Sequence, residues 1–176
     1  YPTGWSVEDR AIALTRAGDR IEANLGRLVH LIVHEAGRTF SNAIAEVREA
    51  ADFCRYYAGE LRKLGECEPL GIVACISPWN FPLSIFVGQI AGALAAGNAV
   101  IAKPAEETPL IACEAVRLLL ECGVPPAVLQ FLPGKGETVG AALVADPRVQ
   151  GVVFTGSTEV ARGIARVLAE RGDVPL

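Results

Sequence analysis

From Pro69 to Ala102 the chain carries no charged residue. No other feature constrains the fold as strongly, because such a run must be buried in lipid or in a protein core. Pro82 to Ala102 alone is long enough to span a bilayer, and Gly88 to Gly92 forms a G-x-x-x-G. Other residues argue against the membrane. Pro78 and Pro82 bracket a rigid turn, Gln89 and Asn98 interrupt the apolar run, and Gly97-Asn98 reads as a helix stop before a strand. The run is therefore read as a buried strand–helix–strand of a parallel sheet, with no transmembrane segment. Its glycines are expected to let the helix lie close on the sheet.

The flanking segments agree with this reading. Residues 7 to 64 read as helical, with Ile21, Leu25, Leu28 and Ile32 on one apolar stripe and Gly37 as a C-terminal cap. A further helix from Ser41 to Leu64, capped by Ser41 or Asn42, turns Ile44, Val47, Ala51 and Cys54 inward. Gly65 to Pro69 reads as a connector. Beyond it, strands are expected at Gly71 to Ile76, Asn98 to Ala102, Val128 to Leu132 and Gly151 to Phe154. Helices are expected at Leu83 to Ala96, Pro109 to Cys122, Glu137 to Val144 and Thr158 to Arg171. Four βα units in series imply an α/β fold: a helical segment, 1–68, followed by a doubly wound parallel sheet, 69–176.

Composition narrows the function classes. With 51% apolar and 20% charged residues the chain is not disordered, and a net charge of −4 leaves no basic face for nucleic acid. Five cysteines without a C-x-x-C pair fit neither a disulfide framework nor a zinc site, so no metal is expected. Most of them sit among Ala, Leu and Val and read as small buried hydrophobes of a reducing, cytoplasmic compartment. The N-terminal YPTGWSVEDR has no apolar leader core, and the absence of methionine even at position 1 implies a processed chain or a piece of a longer one.

In an open α/β sheet, ligands bind beyond the carboxyl ends of the strands. The first strand leads into Ser77-Pro78-Trp79-Asn80-Phe81-Pro82, where two prolines hold an amide that either donates to a developing oxyanion or caps the next helix. The second leads into Lys103-Pro104-Ala105-Glu106-Glu107-Thr108. Its carboxylate and ammonium suit a ribose diol, the alternative being a solvated cluster with Thr108 as helix cap. The third leads into Gly134-Lys135-Gly136-Glu137-Thr138-Val139-Gly140, a glycine turn that fits neither the dinucleotide fingerprint nor the P-loop. The fourth leads into Phe154-Thr155-Gly156-Ser157-Thr158-Glu159, where Gly156 permits close backbone approach and Ser157 opens a helix able to meet a pyrophosphate or simply caps it. Together the four ends point to dinucleotide-dependent carbonyl chemistry on a Rossmann-like domain.

Ser77-Pro-Trp-Asn-Phe-Pro82, Lys103-Pro-Ala-Glu106 and Phe154-Thr-Gly-Ser-Thr-Glu-Val160 resemble the motifs of the aldehyde dehydrogenase superfamily. Thr39 to Ala50, Phe53 and Arg55-Tyr-Tyr57 are similar to the L-glutamate γ-semialdehyde (1-pyrroline-5-carboxylate) dehydrogenase module of bacterial bifunctional proline-utilisation proteins. The resemblance runs from about Ser6 to Leu176. It implies Asn80 as the oxyanion-hole side chain, Lys103 and Glu106 on the adenosine ribose, and Gly156 and Ser157 at the pyrophosphate. It also implies Ser77 and Trp79 along the NAD channel, Gly136 beside the adenine, and Glu46 facing the amino group of the semialdehyde. Glu106 would repel a 2′-phosphate, favouring NAD over NADP.

The implied activity is oxidation of the semialdehyde to L-glutamate in proline catabolism, in a homo-oligomer fused to a proline dehydrogenase domain. The resemblance also implies a cysteine nucleophile and a water-activating glutamate, in Gly-Gln-Arg-Cys and Glu-Thr-Gly-Gly type segments that these 176 residues do not contain. The chain is thus expected to be a truncated module without its catalytic domain, inactive alone and prone to self-association through an unpaired sheet edge. The alternative is a non-catalytic NAD-binding or scaffold module derived from the same fold.

Overall fold

The structure is a computed structural model that describes residues 4–172 and 174–176. Three helices come first: α1 (Val7–Ala23), α2 (Leu25–Ala36) and α3 (Phe40–Leu64). The stripe expected to run unbroken through Ile21 and Ile32 is divided at Asn24, whose backbone N–H closes α1 by donating to Arg20 and Ile21. Gly37 ends α2 in the left-handed conformation (φ 62°), as expected of a C-terminal glycine. α3 starts one residue earlier than expected, at Phe40, and its cap is Thr39 rather than Ser41 or Asn42, because the Thr39 hydroxyl accepts the Asn42 N–H at 3.3 Å.

The sheet follows: β1 (Ile72–Ile76), β2 (Ala99–Lys103), β3 (Leu129–Phe131) and β4 (Val149–Phe154), in the spatial order β3-β2-β1-β4 with every pair parallel. The intervening helices are α4 (Ser84–Ala95), α5 (Pro109–Glu121), α6 (Ala141–Ala145) and α7 (Thr158–Arg171). β1 is central and alternates by its pleat. Val73 and Cys75 join the core shared with α1–α5, while Ala74 and Ile76 join a second core with α6, α7 and β4. Helices on both faces make the sheet doubly wound, as four βα units require.

The uncharged run is β1, α4 and β2. α4 spans 12 residues, and no helix among the described residues is long and apolar enough to cross a membrane. Gly88 and Gly92 serve a contact other than the one expected. A Cβ on Gly88 would lie 3.0 Å from the Phe53 ring, and one on Gly92 3.1 Å from the Tyr57 ring. The glycines therefore bring α4 against α3, whose two aromatic rings fill the space their missing side chains leave. The β4 edge is not bare along its length: the Val152 N–H donates to the Pro175 carbonyl at 2.9 Å.

Candidate active site

The chain leaves β1 toward β2 and β3 on one side and returns to place β4 on the other, so the crevice between the ends of β1 and β4 is the switch point where such sheets bind ligands. All four strand-end segments singled out in the sequence open on this edge of the sheet.

The segment after β1 is held by its neighbours. The Ser77 N–H donates to the Lys103 carbonyl at 3.2 Å, and the Ser77 hydroxyl is buried without a partner among the described residues. Trp79 and Asn80 are exposed. Asn80 does not cap α4. That place is taken by Glu46 of α3, whose Oε1 accepts the Leu83 N–H at 2.8 Å and the Ser84 N–H at 3.3 Å. The Asn80 amide is thereby left free to act on a ligand.

After β2, Lys103 is 3% exposed and its Nζ donates to the Pro104 carbonyl at 2.9 Å. Burial pushes the ammonium pKa down, and Glu106 and Glu107 oppose that shift. Glu106 Oε2 accepts the Gly136 N–H at 2.8 Å, which ties the second strand end to the glycine turn. Thr108 does not cap α5. Glu35, from α2, accepts the Leu110 and Ile111 N–H groups at 2.8 and 2.7 Å.

The expected helix from Glu137 is instead a π-helical turn, Gly136–Gly140, leading into the short α6. Gly134, at φ 154°, admits the Val139 side chain where its own Cβ would stand, and Gly140 passes within 3.4 Å of the Lys103 stem at the corresponding point. Between this turn and α7 lies a pocket of about 450 Å³, lined by Ile76, Lys103, Gly136, Val160, Ile164 and Val167.

After β4, a Cβ on Gly156 would stand 2.5 Å from the Phe154 ring, so any side chain there would have to displace that ring. The Ser157 hydroxyl accepts the Val160 N–H at 3.2 Å and caps α7. The cap and an anion site coexist, because the first N–H groups of a helix have no intrahelical acceptor.

Glu46, placed by resemblance at the substrate, is 2% exposed. Burial raises its pKa against the lowering effect of the Leu83 and Ser84 amides and Arg38. Its Oε2 has no hydrogen bond among the described residues and lies 3.9 Å from Arg38 Nε. The Arg38 guanidinium stands 4.5 Å above the Phe81 ring. These three residues, with Asn42, Asp52 and Phe53, line a second hollow of about 890 Å³ that the Asn80 segment borders through Phe81. Two residues to which the sequence assigned no role at the site are Gln89 and Thr155. The Gln89 carboxamide donates to the Ile76 carbonyl at 3.2 Å and to Thr155 Oγ1 at 3.1 Å. Gln89 registered in the sequence only as a polar interruption, with no signal of what it would meet.

The aldehyde dehydrogenase family profile matches residues 3–174. The chain belongs to the aldehyde dehydrogenase family. It is 62% identical over 169 residues to the bifunctional protein PutA of Klebsiella aerogenes, covering 94% of this chain and 13% of that protein. It superposes on a crystal structure of bifunctional proline utilization A with TM-score 0.94 at 47% identity, over 99% of this chain and 20% of the other. A 1-pyrroline-5-carboxylate dehydrogenase from Thermus, solved with bound NAD, gives TM-score 0.90 at 37% identity over 97% and 37% of the two chains. The chain thus spans a small part of the length of these aldehyde dehydrogenase relatives. None of its five cysteines has the character of the family's nucleophile. Cys54 and Cys75 are buried, with thiols pushed up to about 12, and burial raises Cys122 as well. Cys67 lies in the connector, and Cys113 is exposed on α5.

Proposed function

We propose that this chain supplies the NAD site and the oxyanion donor of an enzyme that oxidises L-glutamate γ-semialdehyde, formed from pyrroline-5-carboxylate, to L-glutamate. The observation that carries the reading is the pair of strand ends at the β1–β4 crevice: β1 leads into an exposed Asn80 that does not cap α4, and β4 leads into the Gly156 turn and the helix capped by Ser157. The residues fit a dinucleotide: the Ser77 hydroxyl is buried without a partner among the described residues, and Gly156 keeps its turn clear of any Cβ.

Lys103 and Glu106 would hold the adenosine ribose, and the pocket bordered by Gly136 would take the adenine. Ser157 and Gly156 would meet the pyrophosphate through open N–H groups, while Ser77 and Trp79 line the way to the nicotinamide. Bound there, NAD supplies a hydride acceptor. The Glu106 carboxylate disfavours a 2′-phosphate, so NAD is preferred over NADP. The Asn80 NH2 donates to the substrate oxygen as it gains negative charge. Glu46 Oε2, buried and without a hydrogen bond among the described residues, is the acceptor for the substrate's ammonium, with Arg38 and Phe81 closing the same hollow.

The reaction needs a cysteine thiolate and a water-activating glutamate besides these groups. Since none of the five cysteines suits, the 176-residue chain alone is held to be inactive. The resemblance to PutA proteins supports a fused proline dehydrogenase domain, a homo-oligomer and a cytoplasmic enzyme. The test is semialdehyde-dependent NADH formation by the full-length protein. Asn80→Ala is expected to lower kcat by about 10²- to 10³-fold. Unchanged kcat in that variant, or turnover by the isolated chain, would refute the reading.

A further inference from the structure

β1 and β4 part company at the crevice. Their last ladder bond is Thr155 N–H to the Ile76 carbonyl, at 3.1 Å. Beyond it the chain turns away into Ser77–Pro82 on one side and Gly156–Ser157 on the other, and no backbone ladder spaces the two turns. Gln89 lies at this fork. It projects from α4 so that one NH2 group donates both to the Ile76 carbonyl and to the Thr155 hydroxyl. The amide orientation is dictated by chemistry, because a carbonyl oxygen accepts only from the nitrogen end.

Two details set Gln89 apart from a glutamine that merely satisfies a strand end. The Ile76 carbonyl already has a donor in the Thr155 N–H, so it does not need a second. The Gln89 Oε1 is itself buried and has no hydrogen-bond partner among the described residues. The side chain therefore keeps its two NH2 contacts while leaving an acceptor unmatched, a cost that turning out to water would relieve.

We propose that Gln89 is a positioning residue of the aldehyde site. It sets the spacing between the turn that carries Asn80 and the turn that carries Ser157, and so the spacing between oxyanion donor and cofactor. It touches neither substrate nor reacting atoms. The proposal rests on the function given above only for its catalytic consequence; the structural claim stands apart from it.

The experiment uses the full-length protein with Gln89→Leu, which removes both donors, and Gln89→Glu, which keeps the shape and replaces the donors with acceptors. Hydrogen exchange reads the structural claim without reference to activity. Amides of residues 77–84 and 155–160 are expected to exchange about tenfold faster or more in both variants, with α1 and α5 unchanged. Kinetics read the consequence. kcat for semialdehyde oxidation is expected to fall at least tenfold, since a misplacement near 1 Å costs up to about 10²-fold. In the Asn80→Ala background, Gln89→Leu should lower kcat by less than about threefold, because its effect runs through Asn80.

Unchanged exchange in either turn overturns the proposal, as does a kcat loss that multiplies in full with that of Asn80→Ala. Global acceleration of exchange, including α1 and α5, also overturns it, since Gln89 would then be a general stability residue. Local acceleration in the variants, together with a wild-type protein that never oxidises the semialdehyde, would uphold the positioning role and refute the assigned reaction.

Discussion

Glu46 and Leu83, 37 residues apart in the chain, meet through a hydrogen bond of 2.8 Å in which a buried carboxylate on α3 accepts the first N–H of the α4 turn. The contact explains how the Asn80 segment is held without using Asn80. The helix that follows it is anchored from below, so the amide before it stays uncommitted. A carboxylate at a helix N-terminus is also favoured by the partial positive charge there.

Removing that anchor is expected to destabilise the protein. Glu46→Ala strips the Leu83 and Ser84 amides of their acceptor and should lower the unfolding free energy by about 2–3 kcal/mol. Urea denaturation of the full-length protein measures it, and a loss below about 0.5 kcal/mol would contradict the anchoring role.

The same residue makes a signed prediction about pH. Burial holds the Glu46 carboxyl above its ordinary value of 4.5, so the folded state binds this proton more readily than the unfolded state. The group's contribution to stability is therefore full below the unfolded pKa and falls as pH rises through the raised folded pKa. Glu46→Gln has no proton to lose. The stability of the wild type relative to Glu46→Gln should be greater near about pH 4 than near about pH 7. A difference of the opposite sign would show that the Leu83, Ser84 and Arg38 contacts outweigh the desolvation.

Glu106 joins the second strand end to the glycine turn and is proposed to hold the ribose. Glu106→Ala should weaken NAD binding about tenfold, equivalent to about 1.4 kcal/mol, and narrow the preference for NAD over NADP. Titration with both cofactors tests it. Unaltered NAD affinity would leave Glu106 only its bond to the Gly136 amide.

Gly88 is where α4 meets α3. A Cβ there would stand 3.0 Å from the Phe53 ring, inside ordinary contact distance. Alanine gains helix propensity at this position but must displace an aromatic ring from a packed interface. Gly88→Ala is expected to cost about 1 kcal/mol net, and Phe53→Leu in the same chain should recover most of it. Equal destabilisation with and without Phe53→Leu would place the strain elsewhere.

The cysteines divide by burial. A thiol-specific reagent should label Cys113 quickly, since it is exposed, and should leave Cys54 and Cys75 unlabelled until the protein unfolds. Mass mapping of the labelled peptides distinguishes them. Rapid native labelling of Cys75 would reopen the search for a nucleophile within this chain.

Taken alone, the sequence determined the alternation of strands and helices, because apolar periodicity is local and each element carries its own pattern. It also determined where to look for the site. Rigid Pro-Asn-Pro and glycine turns at strand ends are visible as residue types, and strands of a parallel sheet deliver their carboxyl ends to one edge. Tertiary structure decided the partners. Glu35 caps α5 across 75 residues, Glu46 anchors α4 across 37, and Gln89 reaches Thr155 across 66. The chain holds 20 acidic residues, and nothing in the local pattern distinguishes these two carboxylates from the rest. A hydrogen bond of this kind is set by where a helix lies in space. That placement comes from packing the whole core, such as Phe53 against Gly88, rather than from any neighbourhood of the sequence.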